Sequence, residues 1–273
     1  MSKRRKGNRF FQALKSELHE NKKTFLVYSI LRVLVIIMMV LQLFNQNYEN
    51  VFLCVLTLVL MIVPSVLQVT FKVEFPTGLE IIILLFIFAA EILGEISSFY
   101  IYFPHWDTIL HTLNGFLCAA LGVSMVEILN RDKRIPFQLS PFFMAMVSFC
   151  FSMTIGVLWE FFEFGMDMIF LLDMQKDSVI HQISTTYLDS TKQNLRVLFP
   201  DIVQTSVNGK VLEIDGYLDI GLIDTMEDLI VNFIGAFVFA LLQYVCGKHK
   251  NNRMFKNLVP FLQKEGKYKN LEG

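Results

Sequence analysis

Six stretches of this chain are apolar for about the length a helix needs to cross a bilayer, near residues 25–44, 51–70, 79–98, 107–129, 141–170 and 225–246. At 1.5 Å per residue, about 20 residues cover the roughly 30 Å of hydrocarbon. Lipid offers the backbone no hydrogen-bond partner, so such runs must satisfy their own N–H and C=O groups. The fold class that follows is all-α: a polytopic transmembrane helix bundle of six spans. A mean hydropathy of +0.50 with 54% apolar residues excludes an ordinary soluble domain. The third and fourth runs are the least clean, because Glu91, Glu95, Asp107 and His111 interrupt them.

Three regions follow: a basic cytoplasmic arm over 1–24, a membrane domain over 25–246 with a hydrophilic extracytoplasmic connection at 173–223, and a basic tail over 247–273. The arm SKRRKGNRFFQALKSELHENKK looks like the basic region of a signal peptide. The apolar run behind it is too long, however, and no small-x-small cleavage site follows, so an uncleaved anchor is expected. Orientation comes from Lys and Arg. With both termini in the cytoplasm, only Lys176, Lys192, Arg196 and Lys210 of the 24 basic residues fall outside. Membrane lipids are the expected partners, with anionic lipid at the two cytoplasmic flanks. A nucleic-acid partner is not expected, and protein partners are not specified. Cys54, Cys118, Cys150 and Cys246 all sit in spans without CxxC spacing, which indicates neither a disulfide framework nor a thiolate metal site.

In this topology nine acids, Glu91, Glu95, Asp107, Glu160, Glu163, Asp167, Asp224, Glu227 and Asp228, lie in or just above the outer half of the bilayer. Each span offers them as a stripe. Glu91 and Glu95 are four apart. Asp107 is followed one turn later by His111. GVLWEFFEFGMDMI places Glu160, Glu163 and Asp167 at i, i+3 and i+7, and DTMEDLIVNFIGA places Asp224, Asp228 and Asn232 at i, i+4 and i+8. A lone charge facing lipid costs on the order of 3 kcal/mol, so the stripes are expected to face inward. Asp107 and Asp224 read as helix N-caps, and Asp224 with Glu227 has the spacing of a capping box. Glu227 is expected to face water or headgroups. Glu160, Glu163, Asp167 and Asp228 lie beyond the first turn of any cap, and no Lys or Arg in the outer half of a span is placed to neutralise them. Either protonation or a bound cation must relieve their repulsion. The candidate metal ligands are Asp107, His111, Glu163, Asp167 and Asp228, with Glu160 and His111 as candidate catalytic residues. Oxygen-rich donors with one imidazole suit a divalent Mg²⁺, Ca²⁺ or Mn²⁺ ahead of Zn²⁺. Gly115, Gly122, Gly156, Gly165 and Gly235 would let helices approach closely. In the connection, TSVNGKVLEI carries Asn208-Gly209 between β-favouring runs, the signal of a hairpin with a type I′ turn.

The stretches DTILHTLNGF, GVLWEFFEFGMD and DTMEDLIVNFIGA, which cover the last three spans, resemble the YjdF-type family of uncharacterised bacterial inner-membrane proteins and, more distantly, VanZ-like membrane proteins. The resemblance implies a bacterial plasma-membrane location and a multi-pass helical fold, with no activity to carry over. Three readings of function stay open. One is a cation-dependent membrane enzyme acting on a lipid or envelope substrate. The second is a cation or proton transporter, and the third a non-catalytic membrane scaffold whose acidic site locks helix packing.

Overall fold

Each apolar run becomes helix, and the breaks fall at residues whose chemistry explains them. The computed structural model describes residues 22–71, 73–131, 139–248 and 261–262. The basic arm up to residue 21, and the tail apart from 247–248 and 261–262, lie outside the described residues, as do the anionic-lipid contacts expected of them. Helix α1 (Lys22–Phe44) is followed by Asn47, whose Oδ1 accepts the Asn50 N–H at 3.1 Å and so caps α2 (Tyr48–Leu60). A turn at Met61–Ile62 leads into α3 (Val63–Phe71), where Pro64 has no N–H to continue the ladder. Helix α4 (Thr77–Phe88) passes directly into a π-helical segment, Ala89–Ile96. A short α5 (Phe99–Tyr102) then precedes α6 (Trp106–Arg131), α7 (Pro141–Phe170) and α8 (Leu222–Lys248). Ser140 Oγ accepts the Phe143 N–H at the start of α7, where Pro141 occupies the first helical position, which has no use for an N–H.

This is a helical membrane protein. Among the described residues, five helical stretches are long and apolar enough to cross a membrane: Lys22–Phe44, Tyr48–Thr70, Trp106–Val126, Pro141–Phe170 and Leu222–Val245. The expected third run is helical too, but its α-helical part ends at Phe88 and the wider π ladder takes over. Large apolar side chains cover the outer faces of the helices, and several polar side chains are buried among them. Leu26, Ile30, Val33, Ile37 and Leu41 of α1 are exposed, whereas Thr57, Ser148, Ser152 and Asn232 are buried.

Contacts divide the chain into two compact units, Met1–Ile155 with Val231–Gly273, and Gly156–Ile230. The first holds two apolar clusters. One joins Tyr28, Leu31 and Val35 of α1 to Cys54 of α2, Leu84 and Ile87 of α4, and Ile92. The other joins Ala119, Ala120 and Val123 of α6 to Met144 of α7 and to Ala236 and Phe239 of α8. Around the second cluster α6 and α8 touch backbone to backbone. A Cβ on Gly235 would lie 1.9 Å from the Thr112 carbonyl oxygen, and one on Gly115 would lie 2.1 Å from that of Asn232. Two amides fasten the same crossing, since Asn114 Nδ2 donates to Asn232 Oδ1 at 3.1 Å. Ser152 of α7 donates to the Gly115 carbonyl at 2.7 Å. A two-residue strand β1 (Val73–Glu74) pairs antiparallel with β8 (Phe261–Leu262).

The second unit consists of the C-terminal half of α7, the connection after it, and the first turns of α8. The connection folds into three antiparallel ladders: β2 (Val179–Ile180) with β7 (Tyr217–Leu218), β3 (Ile183–Thr185) with β4 (Val197–Phe199), and β5 (Ser206–Val207) with β6 (Lys210–Val211). Between β5 and β6, Asn208 and Gly209 both take positive φ, 52° and 78°, as the type I′ turn requires.

Candidate functional site

In α7 the side chains sort by face. Leu158, Phe161, Phe164 and Met168 are exposed, while Glu160, Glu163 and Met166 are buried on the opposite side. Apolar residues at i, i+3, i+6 and i+10 thus turn the carboxylates inward. Helix α8 sorts in the same way, with Met226, Glu227 and Ile230 outward and Asp228 only 4% exposed. Within this unit Glu160, Glu163 and Asp228 meet: each offers a carboxylate oxygen, and the three atoms lie within 4.8 Å of one another. At that spacing, with an effective dielectric of about 20, each pair of ionised carboxylates repels by roughly 3 kcal/mol. The sequence contains no Lys or Arg between Arg134 and Lys176 or between Lys210 and Lys248, the two segments that carry the trio. Protons or a cation would relieve that repulsion. Donors bound to a single Ca²⁺ at about 2.4 Å lie no more than about 4.8 Å apart, and a smaller octahedral ion draws them closer. The trio fits a hard divalent cation.

Asp167, one turn beyond Glu163, is used differently. Its two oxygens accept the N–H groups of Met174, at 2.7 Å, and Gln175, at 2.9 Å, so it holds the start of the connection against the end of α7. Asp224 accepts the Lys176 N–H at 2.8 Å, and Gln175 Nε2 donates to Thr225 Oγ1. The N-cap reading of Asp224 is corrected here. Helix α8 begins at Leu222, so Asp224 already lies in its first turn and spends its carboxylate on the connection. The cap is Asp219, whose carboxylate accepts the Ile223 N–H at 2.6 Å and the Ser178 N–H at 2.7 Å. An Asp three residues before an apolar run was the available signal, overshadowed by the better-placed Asp224. Asp177, also in the connection, is held above the ordinary carboxylate range by burial and by the nearby Asp173, Asp219 and Asp167.

Within the first unit, α6 begins at Trp106, which puts Asp107 in its first turn and corrects the N-cap reading there as well. Asp107 pairs with His111 one turn on, Oδ1 to Nε2 at 3.4 Å. Glu91 is buried in the π-helical segment and Glu95 is half-buried. The indole N–H of Trp106 donates to the Ala89 carbonyl at 3.3 Å, where that segment begins. Glu80 of α4 is buried and accepts from Gln68 Nε2 at 3.2 Å.

The family profile described as "Predicted membrane protein (DUF2238)" matches residues 26–249, from the first turn of α1 to just past α8. The chain belongs to that family. The match supports membership of a membrane-protein family and does not extend to the YjdF-type or VanZ-like names. No curated protein and no solved structure matches the chain.

Proposed function

We propose that this DUF2238 member is a bacterial plasma-membrane protein with a divalent-cation site at Glu160, Glu163 and Asp228, acting on a lipid or envelope substrate. The observation that carries this reading is the meeting of three buried carboxylate oxygens within 4.8 Å. On this reading the run 77–96 is a sixth crossing and, by the positive-inside rule, both termini are cytoplasmic, so that the trio belongs to the outer half of the bilayer. Glu163 and Asp228 would hold the cation, preferentially Mg²⁺, Ca²⁺ or Mn²⁺. A cation so held supplies electrostatic polarisation of a phosphoryl or acyl oxygen and a more acidic water. Glu160, on the same face one turn before Glu163, is placed to accept the proton of an attacking water. The exposed aromatic face of α7 presents the segment to acyl chains, so a lipid substrate would reach the site laterally.

The test is the metal content of detergent-purified protein beside Glu163→Gln and Asp228→Asn, with Glu160→Gln assayed for cellular function. Near-stoichiometric divalent metal that falls in the first two variants, with loss of function but retained metal in the third, supports the reading. Wild-type protein that neither carries nor takes up a divalent ion overturns it in favour of a scaffold. Cation flux into proteoliposomes that vanishes in Asp228→Asn would assign a transporter instead.

A further inference from the structure

The first unit contains a small cavity lined by both polar and apolar side chains. Thr24 and Tyr28 of α1, Met61 at the break between α2 and α3, Pro64 and Ser65 of α3, and Glu80 and Leu84 of α4 line it. Its volume is about 10 Å³, room for one water molecule. Pro64 explains why a gap opens here. Its ring supplies no N–H to the preceding turn and forces the chain out of the regular ladder, so helix backbone cannot close over the wall. Thr24 is 6% exposed, and its Oγ1 finds no hydrogen-bond partner among the described residues. A buried hydroxyl left dry disfavours the fold, and almost all such groups in native proteins are satisfied. Glu80, also on the lining, accepts from Gln68 Nε2, and Gln68 Oε1 accepts the Phe75 N–H at 2.8 Å.

We propose that this cavity binds a single ordered water that bridges Thr24 Oγ1 and Glu80. The water completes a chain from α1 through Glu80 and Gln68 to the backbone at Phe75, and so ties the first helix to the turn before α4. A water is the right size, donates to the carboxylate while accepting from the hydroxyl, and has the polar partners that a buried water requires. An apolar ligand would leave the Thr24 hydroxyl without a hydrogen bond.

The sign of one isosteric substitution separates a wet cavity from a dry one. If the hydroxyl is dry, Thr24→Val removes an unsatisfied group and raises thermal stability. If it holds water, Thr24→Val strips that water of a partner and lowers the melting temperature by about 2–4 °C, while Thr24→Ser keeps the bond. Radiolytic footprinting of the full chain in detergent reports on the water itself, because hydroxyl radicals formed from a bound water oxidise side chains beside it. Met61, 1% exposed, is the reporter. Labelling of Met61 in the wild type that falls several-fold in Thr24→Val is the expected result. A stabilised Thr24→Val, or a Met61 that stays unlabelled in the wild type, overturns the proposal.

Discussion

Replacing Glu163 with Gln keeps the side chain's shape and removes one charge from the trio, so stability should shift in opposite directions with and without cation. With three carboxylate oxygens inside 4.8 Å, Glu163 takes part in two of the three pairwise repulsions, each roughly 3 kcal/mol at an effective dielectric of about 20. Proton uptake and water screening relieve most of this when no cation is present. The remaining relief in Glu163→Gln, about 1 kcal/mol, should raise the melting temperature by about 2–4 °C in EDTA. Adding cation reverses the order. A site occupied at 100 times its Kd gains about 2.7 kcal/mol, a rise of about 5–10 °C for the wild type at this chain length. The variant, with one ligand converted to an amide, should gain far less. Differential scanning fluorimetry of detergent-solubilised protein over a series of Mg²⁺, Ca²⁺ and Mn²⁺ concentrations gives both arms, and the two melting curves should cross. If wild type and variant stay parallel across all cations and EDTA, the trio shares protons rather than a metal, and the cation argument is wrong.

Three further outcomes are expected. Gly235→Ala places a Cβ 1.9 Å from the Thr112 carbonyl oxygen, and a backbone atom cannot step aside, so α6 and α8 must part at a cost of about 1–3 kcal/mol in unfolding by SDS or urea. Asp219→Ala releases the Ser178 and Ile223 amides together; losing about 1.4 kcal/mol of local stability would speed proteolytic nicking of the 173–221 connection roughly tenfold, while the exposed Glu227→Ala leaves it unchanged. Asp189, which accepts from the Thr191 side chain and from the Leu195, Thr191 and Gln193 amides, is lowered to about 2. A carboxylate lowered in the folded state contributes stability that is full above its unfolded value of about 4 and lost as pH falls toward about 2, so backbone NMR shifts of Gln193 and Leu195 should move only across that window.

The helices were legible because one length, the thickness of hydrocarbon, fixes how long an apolar run must be, and Phe, Leu and Ile fill those runs. The inward turn of Glu160, Glu163 and Asp228 was legible for a related reason: their spacing, the apolar residues between them and the lack of nearby Lys or Arg leave no tolerable outward arrangement. Asn208-Gly209 announced its turn through the φ values that only such residues adopt easily. Other features depend on partners far away in sequence. The π-helical segment at Ala89 lies beside Trp106, and Tyr100 covers Gly94 so closely that a Cβ there would meet its ring at 2.4 Å. Nothing in AAEILGEI alone states either fact. Of the connection's three ladders only the Asn208-Gly209 hairpin shows in the sequence, because the other two pair residues as distant as Val179 and Leu218 in segments of two or three residues, too short to show a period. Asp107 and Asp224 were taken for caps because capping geometry depends on where a helix starts, and a shift of one or two residues reassigns it.

The π ladder from Ala89 to Ile96 carries more residues per turn than the α ladder that leads into it. In terms of chain length, this helix holds a residue it does not need in order to stay continuous. Deleting one residue elsewhere in a spanning helix rotates everything after it by about 100° and turns a buried face outward. Deleting Leu93 allows the hydrogen bonds to close one residue earlier, as an α-helix, with the rotation absorbed inside the segment. The place where the sequence departs from regular helix is thus where this protein can change length with least disturbance, and where a homologous chain one residue shorter would be expected to align.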